Sequence, residues 1–242
     1  MPSFKMVDVL KKIKYNTTLR TRGLRTTSRI FGYMPRETIR KDFCSSTSLA
    51  REYPQEHKTI CDFASLLSKF YKNHCPDMYD YHEKVVKDKI KDEWIIDQSP
   101  FTSGIINKNN PLKYHLDAGN IKHVFSNMVC FKKDCTGGHL SIPEFNIGLE
   151  IADKTMLFFD GQSIMHGVTP FNLKSIQAYR FTIVYYTLHQ MWKCEPIDKE
   201  IARIKTVKTN RETLRYKRLA NIQLTQEEQK RALYVKQRPG IV

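Results

Sequence analysis

The sequence predicts an α+β protein, with an antiparallel sandwich or jelly roll at its centre and helices at both ends. Three observations lead there. Seven or eight short β-rich runs fill residues 100–188 at spacings of 8–15 residues, punctuated by Asn109-Asn110, Gly137-Gly138 and Asp160-Gly161. Before them, Ile60, Phe63, Leu66, Leu67 and Phe70 recur at helical spacing. After Pro196, apolar residues are again scattered among many Lys and Arg in a helical texture.

Taken in order, the stretch from Leu19 to Phe43 mixes Arg with Thr, Ser, Gly and Pro, and reads as an extended arm with short turns. His57–His74 is an amphipathic helix packing a core. A second helix is expected from Met78 to Ile90, with Pro76 as its start signal. The strand runs are SGIIN, VFSNMVCF, HLSI, IGLEI, TMLFFD, SIMHGV and YRFTIVYYT. Thr225 and Glu228 form a capping box that opens a last helix through Leu233. The expected organisation is a basic arm (1–41), a helical support (42–99), a β core (100–190) and a basic helical extension (191–242).

At 242 residues with 40% apolar content, the chain can bury a sizeable core, which excludes global disorder. No run of 18 uncharged apolar residues exists, so no transmembrane helix is expected. The first fifteen residues hold no signal peptide, and a cytoplasmic location is expected. Six cysteines lack CxxC spacing, and reduced thiols are the reading that suits a cytosol, although an even count leaves disulfides open. The net charge of +15 is segregated: residues 1–41 carry +9, residues 199–238 carry +8, and the rest −2. Two basic ends around a near-neutral middle suit a polyanion, and nucleic acid is the working partner. Nothing calls for a membrane or an obligate protein partner.

The chemistry centres on His115-Leu116-Asp117. On a strand, residues two apart share a face, so imidazole and carboxylate project together. A lone His-x-Asp is a weak signal. His166 in SIMHGV and Arg180 opening RFTIVYY strengthen it, because a sandwich can bring all four to one point. Two His and one carboxylate form the facial triad of non-haem Fe(II) oxygenases. A keto acid chelating the metal needs a cation for its distal carboxylate, and Arg180 offers a two-pronged one. Thr182 and Tyr186 share the Arg180 face, with Phe181, Ile183 and Tyr185 opposite, as a lined cavity requires. Gly137-Gly138 serves backbone geometry. His139 follows it, nearer to a surface His than to a pocket residue. His57, His74, His82 and His123 are taken as structural or solvent-facing.

These residues resemble the 2-oxoglutarate/Fe(II) dioxygenases, and in finer texture their TET/J-binding-protein branch. The matching stretches are FTSGIINKNNPLKYHLDAGN, GGHLSIPEFNIGLEI, MLFFDGQSIMHGVTP and YRFTIVYY. The resemblance implies a double-stranded β-helix, a cupin-like jelly roll, with Fe(II), 2-oxoglutarate and O2. It implies His115, Asp117 and His166 as iron ligands and Arg180 and Thr182 on 2-oxoglutarate. Asn107, just ahead of the His-x-Asp strand, is read apart from the resemblance either as a further cosubstrate contact or as a turn-forming Asn. Asn120 and Tyr186 fall where the branch contacts the flipped base. The branch's base-reading histidine position is Leu188 here, and a bulge would be needed to bring His189 inward. Tyr186 replaces the second arginine of AlkB-type demethylases, which argues against alkyl-lesion repair. The implied activity is hydroxylation of the 5-methyl group of 5-methylcytosine in double-stranded DNA, with thymine as the alternative base. A bacteriophage origin fits the compact size. A hydroxylase of RNA or protein, and a non-catalytic DNA-binding protein on a dioxygenase scaffold, are the rival readings.

Overall fold

The computed structural model describes residues 2–19, 25–36, 42–220 and 222–229. Helix α1 (Pro2–Lys12) leads into strands β1 (Asn16–Leu19), β2 (Arg25–Met34) and β3 (Ser45–Ser46). Helices α2 (Ser48–Glu52), α3 (Pro54–His74) and α4 (Pro76–Lys89) follow. The β region runs β4 (Ser103–Lys108), β5 (Ser126–Lys133), β6 (Cys135–Gly137), β7 (Leu140–Ile142), β8 (Ile147–Leu149), β9 (Met156–Phe159), β10 (Gly167–Val168), β11 (Phe171–Leu173) and β12 (Tyr179–Tyr186). Helix α5 (Ile197–Leu219) comes last. Every strand run expected between residues 100 and 188 contains a strand.

The strands form one large antiparallel sheet, ordered β1-β2-β4-β12-β5-β9 with β3 attached to β2. Opposite it lie a three-stranded sheet, β10-β7-β8, and the pair β11-β6. Strand β12 sits centrally, with Thr182 opposite Asn107 on one side and Cys130 on the other. Its period of two separates two environments. Phe181, Ile183 and Tyr185 face helices α1 and α3 and join a core that includes Leu10, Ile60 and Leu67. Between the sheets, Met128 and Cys130 of β5 pack with Leu140 and Ile142 of β7.

Helix α3 follows from its apolar spacing. Ile60, Ala64, Leu67 and Tyr71 are its buried stripe, Pro54 opens it, and Lys72 and His74 sit at its negative dipole end. Pro76 stops it at Cys75 and starts α4. Tyr185 locks the sheet to α3 by donating its hydroxyl to the Ile60 carbonyl at 2.7 Å. His82 on α4 is fully buried, its Nε2 lying 2.9 Å from Thr187 Oγ1, and burial lowers its pKa to about 3. His57 accepts the Gly32 N–H, while His74 and His123 are exposed. The capping box is present: Thr225 N–H donates to Glu228 and Glu228 N–H to the Thr225 hydroxyl, and residues 226–229 are helical. The rest of that expected helix lies outside the described residues.

Two expectations are corrected. The stretch expected as an extended arm contributes β2, which pairs with β4 from Ser28 to Gly32 and lies inside the main sheet. Its polar composition concealed this, because Arg29 is buried yet ion-paired with Glu52. Residues 20–24 and 37–41 of that stretch lie outside the described residues. The expectation of reduced thiols fails for two cysteines, since Cys44 and Cys194 form a disulfide across 150 residues, with Cα atoms 5.7 Å apart. Both are buried, and only the fold brings them together. Cys61, Cys75, Cys130 and Cys135 are free thiols, and burial pushes Cys61 up to about 12 and Cys130 up to about 11.

Candidate active site

His115 and His166 meet backbone to backbone. Each donates its N–H to the other's carbonyl, at 2.9 and 3.1 Å, as an isolated antiparallel bridge. Asp117 is tied in by its N–H to the Gly161 carbonyl at 2.8 Å. The loop carrying Gly161 is set by Asp160, whose Oδ1 accepts the Gln162 and Ser163 N–H groups. Gly161 itself is required by close approach, because a Cβ there would collide with the Asp117 carboxylate.

These pairings converge three side chains. Asp117 Oδ1 is 3.6 Å from His115 Nε2 and 3.9 Å from His166 Nε2. One ligand atom from each residue lies within 4.8 Å of the others. His115 Nδ1 sits 2.8 Å from the Lys113 carbonyl, and His166 Nδ1 sits 2.9 Å from the Ile164 carbonyl. A carbonyl can only accept, so each Nδ1 carries a proton, and Nε2 is the atom each ring has left to offer a metal. Burial holds the His166 imidazole below its ordinary pKa, which keeps it neutral. Burial also raises the Asp117 carboxyl, against the pull of the two imidazoles. A divalent cation at this point would favour the ionised carboxylate.

Across the same cavity stands Arg180, 2% exposed. Its Nε and Nη2 donate to the Gly138 carbonyl at 3.2 and 2.9 Å, and its guanidinium lies 5.7 Å from the Phe171 ring centre. Gly138 has φ +70°, and a Cβ there would strike the Arg180 side chain, so Gly137-Gly138 does serve backbone geometry. Among the described residues no carboxylate pairs with Arg180. A buried, unpaired guanidinium is costly, and an anionic ligand is the remedy the cavity permits.

Asn107 and Thr182 stand beside it, with Asn107 Nδ2 donating to Thr182 Oγ1 at 3.4 Å. Sequence reasoning missed their support. Asn110 Nδ2 donates to Asn107 Oδ1 at 3.0 Å, and Asn109 Oδ1 accepts the Arg180 N–H at 2.8 Å. Both had been read only as turn residues, and the adjoining pair of Asn just ahead of His-x-Asp was the available signal.

The cavity measures about 350 Å³, and Asn120, Tyr186 and Leu188 line it near Asp117. Asn120 Nδ2 donates to Ser126 Oγ at 3.2 Å, and burial pushes the Tyr186 phenol above its ordinary range. His189 does not join them. Its N–H and Nδ1 are both held by the Gly119 carbonyl, at 3.0 and 2.9 Å, and it lines a neighbouring cavity instead. His139 is half-buried and accepts the Ile151 N–H, outside the catalytic cavity.

Comparison with known proteins gives the family. Residues 30–189 match the TET/JBP family model, the oxygenase domain of the 2OGFeDO superfamily. The chain belongs to the TET/JBP family. It is similar to the thymine dioxygenase JBP1 of Trypanosoma brucei brucei, at 24% identity over 222 residues, and equally to that protein from strain 927/4 GUTat10.1. The alignment covers 88% of this chain and 26% of JBP1, so the chain spans about a quarter of the length of the curated relatives it matches. Among solved structures, NgTET1 in complex with 5mC DNA superposes with a TM-score of 0.56 at 16% identity, covering 83% of this chain and 73% of that one. That likeness shows the fold, a double-stranded β-helix of the TET/JBP type.

The superfamily uses Fe(II), 2-oxoglutarate and O2, and this TET/JBP chain has residues that fit them. Two imidazole Nε2 atoms and one carboxylate suit Fe(II). The unpaired, buried Arg180 suits the distal carboxylate of 2-oxoglutarate. Among the described residues no helix is long and apolar enough to cross a membrane.

Proposed function

We propose that this protein hydroxylates the 5-methyl group of 5-methylcytosine in DNA. The observation that carries the reading is one cavity in which a His-Asp-His cluster faces a buried arginine that has no acidic partner among the described residues. Fe(II), 2-oxoglutarate and O2, when bound, supply the oxidation of a C–H bond to C–OH, with succinate and carbon dioxide released. Everything else is positioning by the chain itself.

His115, Asp117 and His166 would hold the iron, with both histidine tautomers fixed by backbone carbonyls. Arg180, supported by Thr182 and Asn107, would orient the cosubstrate. Asn120 and Tyr186 would meet the base. Asn120 spends its amide N–H on Ser126, which leaves its oxygen to accept from a base amine. The cavity holds a base and not a duplex, so the target nucleotide flips out of the stack, at a cost of about a few kcal/mol. The basic segments 1–41 and 199–238 would hold phosphates, with affinity falling as salt rises.

Thymine is the second reading, favoured by similarity to proteins named thymine dioxygenases. Nucleoside mass spectrometry decides. The protein is incubated with Fe(II), 2-oxoglutarate and DNA containing both bases. Expected is 5-hydroxymethylcytosine, absent with Asp117→Ala. 5-Hydroxymethyluracil instead would transfer the reading to thymine. Unchanged bases, or full activity of the Asp117→Ala protein, would end the hydroxylase reading.

A further inference from the structure

Beside the catalytic cavity lies a second one of about 370 Å³, and Asn120 lines both. Its walls carry Tyr81, Lys89, Lys122, Gln162, His189 and Trp192. Tyr81 and Trp192 are each 47% exposed, so both rings present area that a flat ligand can cover. The His189 ring meets Trp192 edge-on, at 5.8 Å between centroids and 88° between planes, and braces it. His189 is in turn pinned by Gly119. Lys89 Nζ lies 5.4 Å from the Trp192 ring centre.

Two further facts specify the occupant. No carboxylate lines this cavity among the described residues, while Lys89 and Lys122 do, so the cavity suits an anion. Gln162 contributes a buried Oε1 with no hydrogen-bond partner. That acceptor lacks a donor, and a base edge with its amine or ring N–H carries one. An aromatic platform, two ammonium groups and one orphaned acceptor together match a nucleotide.

We propose that this second cavity binds the nucleotide adjacent to the target, its base stacked on Trp192, its phosphate on Lys89 and Lys122, and its edge donating to Gln162. The inference rests on DNA being the substrate, and it adds a site that reads flanking sequence. Asn120 lines both cavities, so the two sites adjoin, as consecutive nucleotides of one strand require.

The test uses tryptophan emission. The only other tryptophan, Trp94, is buried, so quenching by added DNA reports Trp192. The full chain is titrated with a seven-nucleotide single strand carrying a central 5-methylcytosine or thymine. Quenching is expected. Trp192→Phe should abolish the quenching and keep affinity within about twofold, while Trp192→Ala should weaken binding about tenfold, as loss of one stacked base implies. Lys89→Ala with Lys122→Ala should flatten the salt dependence by about 0.7 per lysine. Absent quenching in the wild type, or unchanged binding by Trp192→Ala, overturns the proposal. Quenching without oxidation of either base would support this site while ending the hydroxylase reading. Oxidation with Trp192 unquenched would overturn this site alone.

Discussion

Arg180 and Glu200 are both charged and nearly inaccessible, at 2% and 1% exposure, yet their surroundings are opposite. Glu200, on the first turn of α5, has a full set of partners. It accepts from Arg36 Nε at 2.9 Å, from the Cys44 N–H at 2.9 Å and from the Glu195 N–H at 3.0 Å. Arg180 has one neutral carbonyl and an aromatic ring. A satisfied buried charge is part of the framework, and an unsatisfied one beside a cavity is a receptor. Burial alone does not tell them apart, but the list of partners does.

The contrast breaks most visibly on stability. Glu200→Leu strands Arg36 and two backbone N–H groups, and should cost about 3 kcal/mol in urea unfolding. Arg180→Met removes a buried charge that has no ionic partner among the described residues, and should leave the unliganded protein at least as stable as wild type. If both substitutions destabilise equally, Arg180 is framework and the distinction is lost. The next effect sharpens it. Arg180→Met should raise the 2-oxoglutarate requirement about 10- to 100-fold, as loss of a charged hydrogen bond implies. Added 2-oxoglutarate should raise the melting temperature of the wild type and not of the variant.

The smallest effect is on pH dependence. Burial pushes the Glu200 carboxyl up, but Arg36 and the two N–H groups hold it below its ordinary value. A folded-state pKa below the unfolded one contributes stability that is complete above the unfolded pKa. It is lost as pH falls through the folded one. Wild-type stability should therefore drop below about pH 4.3, the ordinary glutamate value. Glu200→Gln should show a shallower drop, measured by urea midpoints at neutral and acid pH.

Legibility in the sequence followed the range of the interactions. The alternation of β12 was readable because its two faces differ in chemistry, Arg180, Thr182 and Tyr186 against Phe181, Ile183 and Tyr185. His115 and Asp117 were readable because two residues apart on extended backbone means one face. His166 and Arg180 were readable only through the sandwich expected around them, since nothing local ties them to His115. Strand β2 was hidden by its polar residues, whose partners, such as Glu52 for Arg29, lie elsewhere in the chain. His189 could enter the cavity only through a bulge, and none forms where β12 ends. A short helical turn, His189–Lys193, begins there and rotates the imidazole away while Leu188 faces the cavity.

The bond between Cys44 and Cys194 has a topological consequence. It turns the intervening polypeptide into a covalent ring, and all the iron, cosubstrate and base residues named above lie on that ring. A protease that nicks the loop at Asp134 or Lys174 would leave both pieces joined. The break would show on a denaturing gel only after a reductant is added.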